Sequence, residues 1–597
     1  MTESASALAT ARDVTTGRTS AVASASAALA RADAYDAIQP QAWIQRRPSE
    51  EVLRRAQEVD ARRARGESLP LAGVPFAVKD NIDAAGLPTT AGCPSFAFQP
   101  ERSATVVERL EQAGALLLGK TNLDQFATGL VGTRTPYGIP ACVYNREFIS
   151  GGSSSGSAVL VGAGVVAFAL GTDTAGSGRV PAAFNHLVGY KPTRGRFSTR
   201  GVFPACRSID CVSVFTRDAR DAAMIDGVLA SFDEVDPYAR RAPVEPPGWS
   251  GPARLGIARP AQRQFFGDLQ SATLYERALM RLAATGARLI EIDIEPLLAA
   301  AQLLYAGPWV AERLAVTQDF LRRQPGAVHP VVRAIIQAGQ GYSAVDAFRG
   351  QYALQEHARA AQRLWQQVDA LALPTAPTVY RIAELLAEPV LLNSNLGHYT
   401  NFVNLLDMCA VSVPGGFRAN ATGFGVSLIG PAWTDRALLE LAAQYETTRR
   451  AAGDDMPAPA LDLAPRAAHI GLAVVGAHLA GMPLHHQLAA RGARLVRATR
   501  TAPLYRLYAM AGTTPPKPAL VHVGPGGSAI EVEVYELEPA AFGQFVAEVP
   551  PPLAIGTLTL ADGTAAPGFV AEPRALEGAQ DISAHGGWRA YLAHARG

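Results

Sequence analysis

Lys79, Ser153 and Ser177 are the side chains in this sequence best placed to transfer an acyl group. Ser153 lies in SGGSSSGSA and Ser177 in GTDTAGSGR, and the apolar stretch from Ala158 to Leu170 separates the two loops. That stretch is too short to span a bilayer, so it is expected inside the protein as a core helix and strand. Burying it carries both serine loops into the same interior. Their glycines let backbone N–H groups point inward at close range. A serine hydroxyl needs a base before it can attack. Lys79 closes the short apolar run VPFAVK, and a lysine at the end of a buried strand must snorkel, find acceptors or lose its proton. A neutral lysine can serve as that base, a second serine can relay the proton, and backbone N–H groups of the Thr174-Ala175-Gly176-Ser177 loop can hold an oxyanion. Two Gly/Ser turns around a core element, with a snorkelling lysine, is the plainer alternative.

Other motifs compete. GALLLGKT, from Gly114 to Thr121, fits the P-loop pattern, but a helical pattern precedes Gly114 and three leucines fill the phosphate loop. Lys120 is therefore expected to pack or hydrogen-bond. Cys142 has no matching Glu/Lys motif that would make it a nucleophile. Tyr305 and Arg313, eight positions apart in LYAGPWVAER, can share one side of a helix if Pro308 does not interrupt it. His478, after an apolar strand, reads first as structural.

The elements that must hold these residues alternate between helices and short apolar strands, which predicts an α/β core. Residues 49–66 read as a charged helix, 103–114 as a helix, 115–119 as a strand and 182–217 as irregular. Strands are expected at 253–258, 287–293, 368–376 and 423–429, and a helix at 399–413. Residues 1 to about 30 are small and polar and are expected either to fray or, in their Ala-rich stretches, to form helix. The Pro-rich run at 456–465 predicts a boundary between a domain at 1–455 and a smaller α+β domain at 466–597. The chain has 597 residues, a formal charge of +1 and five cysteines without a CxxC pair. This balance argues against nucleic-acid and membrane-surface roles and for a cytoplasmic protein with reduced thiols.

VPFAVKDNID, GGSSSGSA and GTDTAGSGRVPAAFNHLVGYKPT, in that order, resemble the amidase signature family over roughly residues 70 to 450. The resemblance implies a mixed β-sheet core covered by helices. It also implies a triad of Lys79, Ser153 preceded by a cis peptide, and Ser177 as nucleophile. GTRTPYG, LYAGPWVAER, VGAHLAGMPLHHQL and TAPLYRLYAM are similar to the allophanate-hydrolysing members. Those members imply allophanate as substrate, Tyr305 and Arg313 as its contacts, no cofactor or metal, and a homodimer within a possible larger assembly. Their C-terminal domain resembles the γ-glutamyl cyclotransferase-like fold, with His478 at a candidate second site. His186, Tyr190 and the His485-His486 pair depart from the family pattern.

Overall fold

The computed structural model describes residues 6–452 and 470–596, and the chain divides into two compact units, Met1–Leu461 and Asp462–Gly597. The Pro-rich run at 456–465 lies outside the described residues. Among the described residues no helix is long and apolar enough to cross a membrane.

The first unit is built on one mixed sheet of eleven strands. In chain order these are β1 (Trp43–Arg46), β2 (Pro75–Lys79), β3 (Leu116–Thr121), β4 (Phe168–Asp173), β5 (Val188–Lys191), β6 (Cys211–Thr216), β7 (Arg254–Ala258), β8 (Arg288–Ile292), β9 (Ala370–Pro374), β10 (Met408–Phe417) and β11 (Gly423–Pro431). Across the sheet they run β1-β3-β2-β4-β6-β5-β10-β11-β9-β7-β8. Helices cover it. The first ten are α1 (Ala7–Thr15), α2 (Ala21–Asp36), α3 (Ser49–Ala64), α4 (Thr105–Gln112), α5 (Ser155–Gly162), α6 (Val180–Phe184), α7 (Ala219–Leu229), α8 (Leu269–Ala284), α9 (Glu295–Gln302) and α10 (Trp309–Arg323).

Every residue of β2, β3 and β4 is buried. A strand covered on both faces reads as a continuous apolar run, which is why FAV, LLL and FAL carry no alternation. β2 lies between β3 and β4 and is parallel to both, so their carboxyl ends share one edge of the sheet. That edge is where an open α/β sheet binds ligands.

Several sequence expectations are corrected. The first 30 residues do not fray where they are described: Ala7, Ala11, Val14, Ala21, Ala25 and Ala28 pack into the core. The Asp221 carboxylate accepts the Ala7 and Leu8 N–H groups and caps α1. Small alanine faces let α1 lie close to α7 and α2 close to α3 and β2. The region 182–217 contains two central strands, β5 and β6. The helix expected at 399–413 shrinks to Asn401–Leu405, and Met408–Phe417 is strand β10, pairing with β11 and β5. One expectation holds: GALLLGKT has no phosphate loop. Its lysine lies inside β3, where Lys120 Nζ pairs with Asp80 Oδ1 at 3.2 Å and donates to Thr89 Oγ1 at 3.0 Å.

The second unit contains β12 (Ile470–Val474), β13 (Arg494–Arg500), β14 (Tyr505–Ala509), β15 (Pro518–His522), β16 (Glu531–Leu537), β17 (Leu553–Thr559), β18 (Ala565–Ala571) and β19 (Gln580–Asp581). They form a five-stranded sheet, β13-β16-β12-β18-β17, and a three-stranded one, β15-β14-β19, around a separate apolar core.

Candidate active site

Lys79 ends β2 and Thr172 sits near the end of the adjacent, parallel β4, so register alone brings them together. Lys79 Nζ donates to Thr172 Oγ1 at 2.8 Å and contacts Ser153 Oγ at 2.7 Å. Burial pushes the Lys79 ammonium down to about 7, against the charges of Asp124, Asp210 and Asp173, which favour the proton. A lysine in that range is neutral in a large fraction of molecules near neutral pH. Its lone pair can then take the Ser153 proton across the same 2.7 Å contact.

The Gly152–Ser153 peptide is cis. Gly152 is a glycine because a Cβ there would come 2.2 Å from Asp124 Oδ2. That carboxylate is committed: it accepts the N–H groups of Val131, Gly132 and Arg134 at 2.9–3.1 Å and folds the 124–134 loop around itself. Asp124 N in turn donates to Ser153 O.

Ser177 lies in the loop between β4 and α6, and its Oγ donates to Gly129 O at 3.4 Å. The structure thus joins Lys79 to Ser153 directly and places Ser177 against the loop folded by Asp124. Before Ser177, each residue of the loop is anchored from outside its own backbone. Thr174 Oγ1 donates to Asp210, Ala175 O accepts from Thr400 Oγ1 at 2.6 Å, and Gly176 N donates to Asp173 Oδ1 at 2.9 Å. Gly176 has φ +129° and a Cβ on it would come 2.5 Å from Thr400 Oγ1, so no side chain fits. Gly176 belongs to the loop expected to offer oxyanion donors, and its N–H is already engaged by Asp173. Among the described residues the N–H groups of Thr174 and Ala175 have no protein acceptor. The Asp173 carboxylate also pairs with Arg179 through two bonds of 2.9 and 3.0 Å. Against the opposing effect of burial, this guanidinium holds the Asp173 carboxyl below its usual range.

Tyr305 and Arg313 do meet, but not on one helix. α9 stops at Gln302 and α10 begins after Pro308, so Tyr305 lies in the turn between them. The turn folds its ring back beneath the guanidinium, with Arg313 Cζ 5.3 Å from the ring centroid and Nη2 3.5 Å from the hydroxyl. Arg313 Nη1 donates to Thr128 Oγ1 at 3.1 Å. The side chain is 1% exposed, its Nε has no acceptor, and among the described residues no carboxylate lies within ion-pair distance. A buried cation held only by two hydroxyls has donors to spare for an anionic ligand. Thr128, Asp124, Thr172 and Asp210 escaped the sequence reading. Thr172 stood inside the GTDTAGSGR motif, and Asp124 and Thr128 in the loop-rich stretch before Ser153, while nothing in the sequence marked Asp210.

In the second unit His478 follows β12 and borders a cavity of about 290 Å³ with Gln487, Lys517, Phe545, Glu548 and Phe569. Its Nε2 lies 2.9 Å from Gln487 Oε1 and its ring stacks on Phe569. Burial lowers its affinity for a second proton. His186 is half-buried, stacked on Phe417, and desolvation pushes it down to about 3, so it stays neutral. Tyr190 donates its hydroxyl to the Asp226–Asp435 pair away from the triad.

Comparison with known proteins agrees with this division. Residues 25–439 match the family described as Amidase, and residues 470–593 match the family described as Allophanate hydrolase C-terminal domain. The urea amidolyase of Saccharomyces cerevisiae is 45% identical over 573 residues, 92% of this chain and 31% of that protein. The chain therefore spans less than a third of that relative. A selenomethionine form of Kluyveromyces lactis allophanate hydrolase superposes with a TM-score of 0.71 at 41% identity, covering 97% of both chains. The K. lactis urea amidolyase superposes with a TM-score of 0.70 at 41% identity, covering 97% of this chain and 36% of that one.

Proposed function

The chain belongs to the amidase family, and we propose that it hydrolyses allophanate, a small amide bearing a carboxylate, in urea or s-triazine nitrogen catabolism. Lys79 takes a proton through Ser153, and Ser177 Oγ attacks the amide carbonyl. The oxyanion forms against the Thr174 and Ala175 N–H groups. The proton returns to the leaving nitrogen, ammonia departs, and an acyl-Ser177 intermediate remains. Water then adds by the same relay and releases N-carboxycarbamate, which breaks down to ammonia and carbon dioxide. Arg313 and Tyr305 receive the substrate carboxylate. The observation that carries the substrate assignment is the buried Arg313 guanidinium with no carboxylate of its own. The names of the relatives, allophanate hydrolase and urea amidolyase, support the same choice.

The division of labour we favour gives amide cleavage to residues 1–455, with 456–465 as linker. The 466–597 domain receives the dianionic product beside His478 and Lys517. Five buried, unpaired cysteines suit a reducing cytoplasm, and a homodimer acting beside other enzymes of the pathway completes the proposal. The test is ammonia release from allophanate, malonamate and biuret. Allophanate is expected to be turned over fastest, and malonamate, which keeps a carboxylate, ahead of neutral biuret. Biuret hydrolysed as fast as allophanate overturns the assignment.

A further inference from the structure

Asp210 is buried and immediately precedes β6. β6 runs antiparallel to β4 with Asp173 opposite Cys211, so Asp210 stands beside Thr174 where β4 opens into the Ser177 loop. Its carboxylate collects three neutral donors. Thr174 Oγ1 donates to Oδ1 at 2.5 Å, Ala205 N to Oδ2 at 2.7 Å, and Cys206 N reaches both oxygens at 3.2 Å. Among the described residues no cation lies within ion-pair distance of it. The turn it grips leads to α10: Ser208 donates through N and Oγ to Glu312, each at 2.7 Å, and Glu312 precedes Arg313. Ala175, Cys206, Ile209, Leu304 and Trp309 pack in one apolar cluster, with Tyr305 against it.

The geometry points to Asp210 as a positioning residue that locks the oxyanion loop to the segment carrying Tyr305 and Arg313, an inference that rests on the amide hydrolysis proposed above. Thr400 on Ala175 and Asp173 on Gly176 anchor the loop through side-chain bonds that do not reach the turn leading to α10. Asp210 acts on both halves of the site through one carboxylate. Its charge also reaches the base. Lys79 at the end of β2, Arg313 on α10 and Cys206 in the turn all lie within reach of its charge, Asp124, Asp173 and Arg313 also act on Lys79, and Glu312 acts on Arg313. Burial pushes the Asp210 carboxyl up to about 6, and when ionised it favours the proton on Lys79. Removing its charge therefore makes Lys79 lose its proton at lower pH.

The experiment measures kcat and KM against pH for the full chain and two variants, with allophanate and with a small neutral amide. Asp210→Asn keeps an acceptor for Thr174 but turns a donor toward the Ala205 and Cys206 N–H groups. It is expected to lower kcat about 10- to 100-fold on both substrates with little change in KM. Its acid limb is expected to move to lower pH by about half a unit or more. Thr174→Val keeps the shape and removes the hydroxyl, so it is expected to lower kcat similarly while leaving the limb in place. A limb unmoved in Asp210→Asn, or a kcat within about twofold of wild type in Thr174→Val, overturns the inference. Thr174→Val decides the matter if Asp210→Asn does not fold. A wild-type protein that ignores allophanate but cleaves the neutral amide overturns the substrate assignment instead, and Asp210 is then tested on that amide.

Discussion

Replacing Lys79 with methionine is expected to destroy activity and stabilise the protein at neutral pH. In the unfolded chain the ammonium keeps its proton to about pH 10.5, whereas burial in the folded protein releases it near 7. Between those values the unfolded chain binds the extra proton, so stability rises with pH across the window. Below it both states are charged, and the folded state bears the whole difference of 3.5 units, about 5 kcal/mol. Above it neither state is charged and the difference is gone. Lys79→Met removes this term together with two hydrogen bonds, to Ser153 and Thr172, each contributing about 1 kcal/mol. The variant is then about 2 kcal/mol more stable than wild type at pH 7, equal near pH 9, and about 2 kcal/mol less stable above the window. Urea unfolding followed by tryptophan fluorescence, repeated from about pH 6.5 to 10.5, gives the difference directly, because every other titrating group is common to both proteins. Curves that stay parallel across this range would refute the claim that the folded protein strips Lys79 of its proton. In wild-type kinetics the same release predicts a kcat that rises about tenfold per pH unit below 7 and levels above it.

Ser177→Ala is expected to lower ammonia release by about four orders of magnitude or more without changing the circular dichroism spectrum; residual turnover above about a tenth would point to a different nucleophile. Arg313→Gln is expected to cut kcat/KM for allophanate by roughly two to three orders of magnitude, since the substrate carboxylate then lies unpaired in a buried site, while a neutral amide loses far less. Equal losses on both substrates would make Arg313 a structural residue. A chain ending near residue 460 is expected to keep releasing the first ammonia, measured by coupled assay, and a folded truncation without any release would defeat the division of labour.

The parts of the site visible in the sequence were those with unusual local composition. Two Gly/Ser loops around an apolar run, and a lysine closing an apolar strand, stand out because polar residues there have no solvent to face. Tyr305 and Arg313 were paired by helical spacing, yet they meet through a turn at Pro308. Asp124, Thr128 and Asp210 gave no such signal. Each is an ordinary polar residue in a loop, and its role comes from strand register and from contacts across long stretches of chain. MCAVSV in β10 was misread as helix because a strand buried on both faces has no period of two to separate it from a buried helix.

The Thr400 and Asn404 contacts have a consequence for how the protein comes to life on the ribosome. Ala175 O, Arg179 and Asp173 O are fastened by residues 221–231 positions later in the chain. Lys79, Ser153 and Ser177 have all been synthesised long before those fasteners emerge. A nascent chain can therefore display the complete set of reactive side chains while the loop that must cradle the oxyanion is still unfastened. Contacts this distant are made late, after the entropy of closing a long loop has been overcome. Hydrolytic competence is thus expected only once Thr400 and Asn404 have folded back onto the loop.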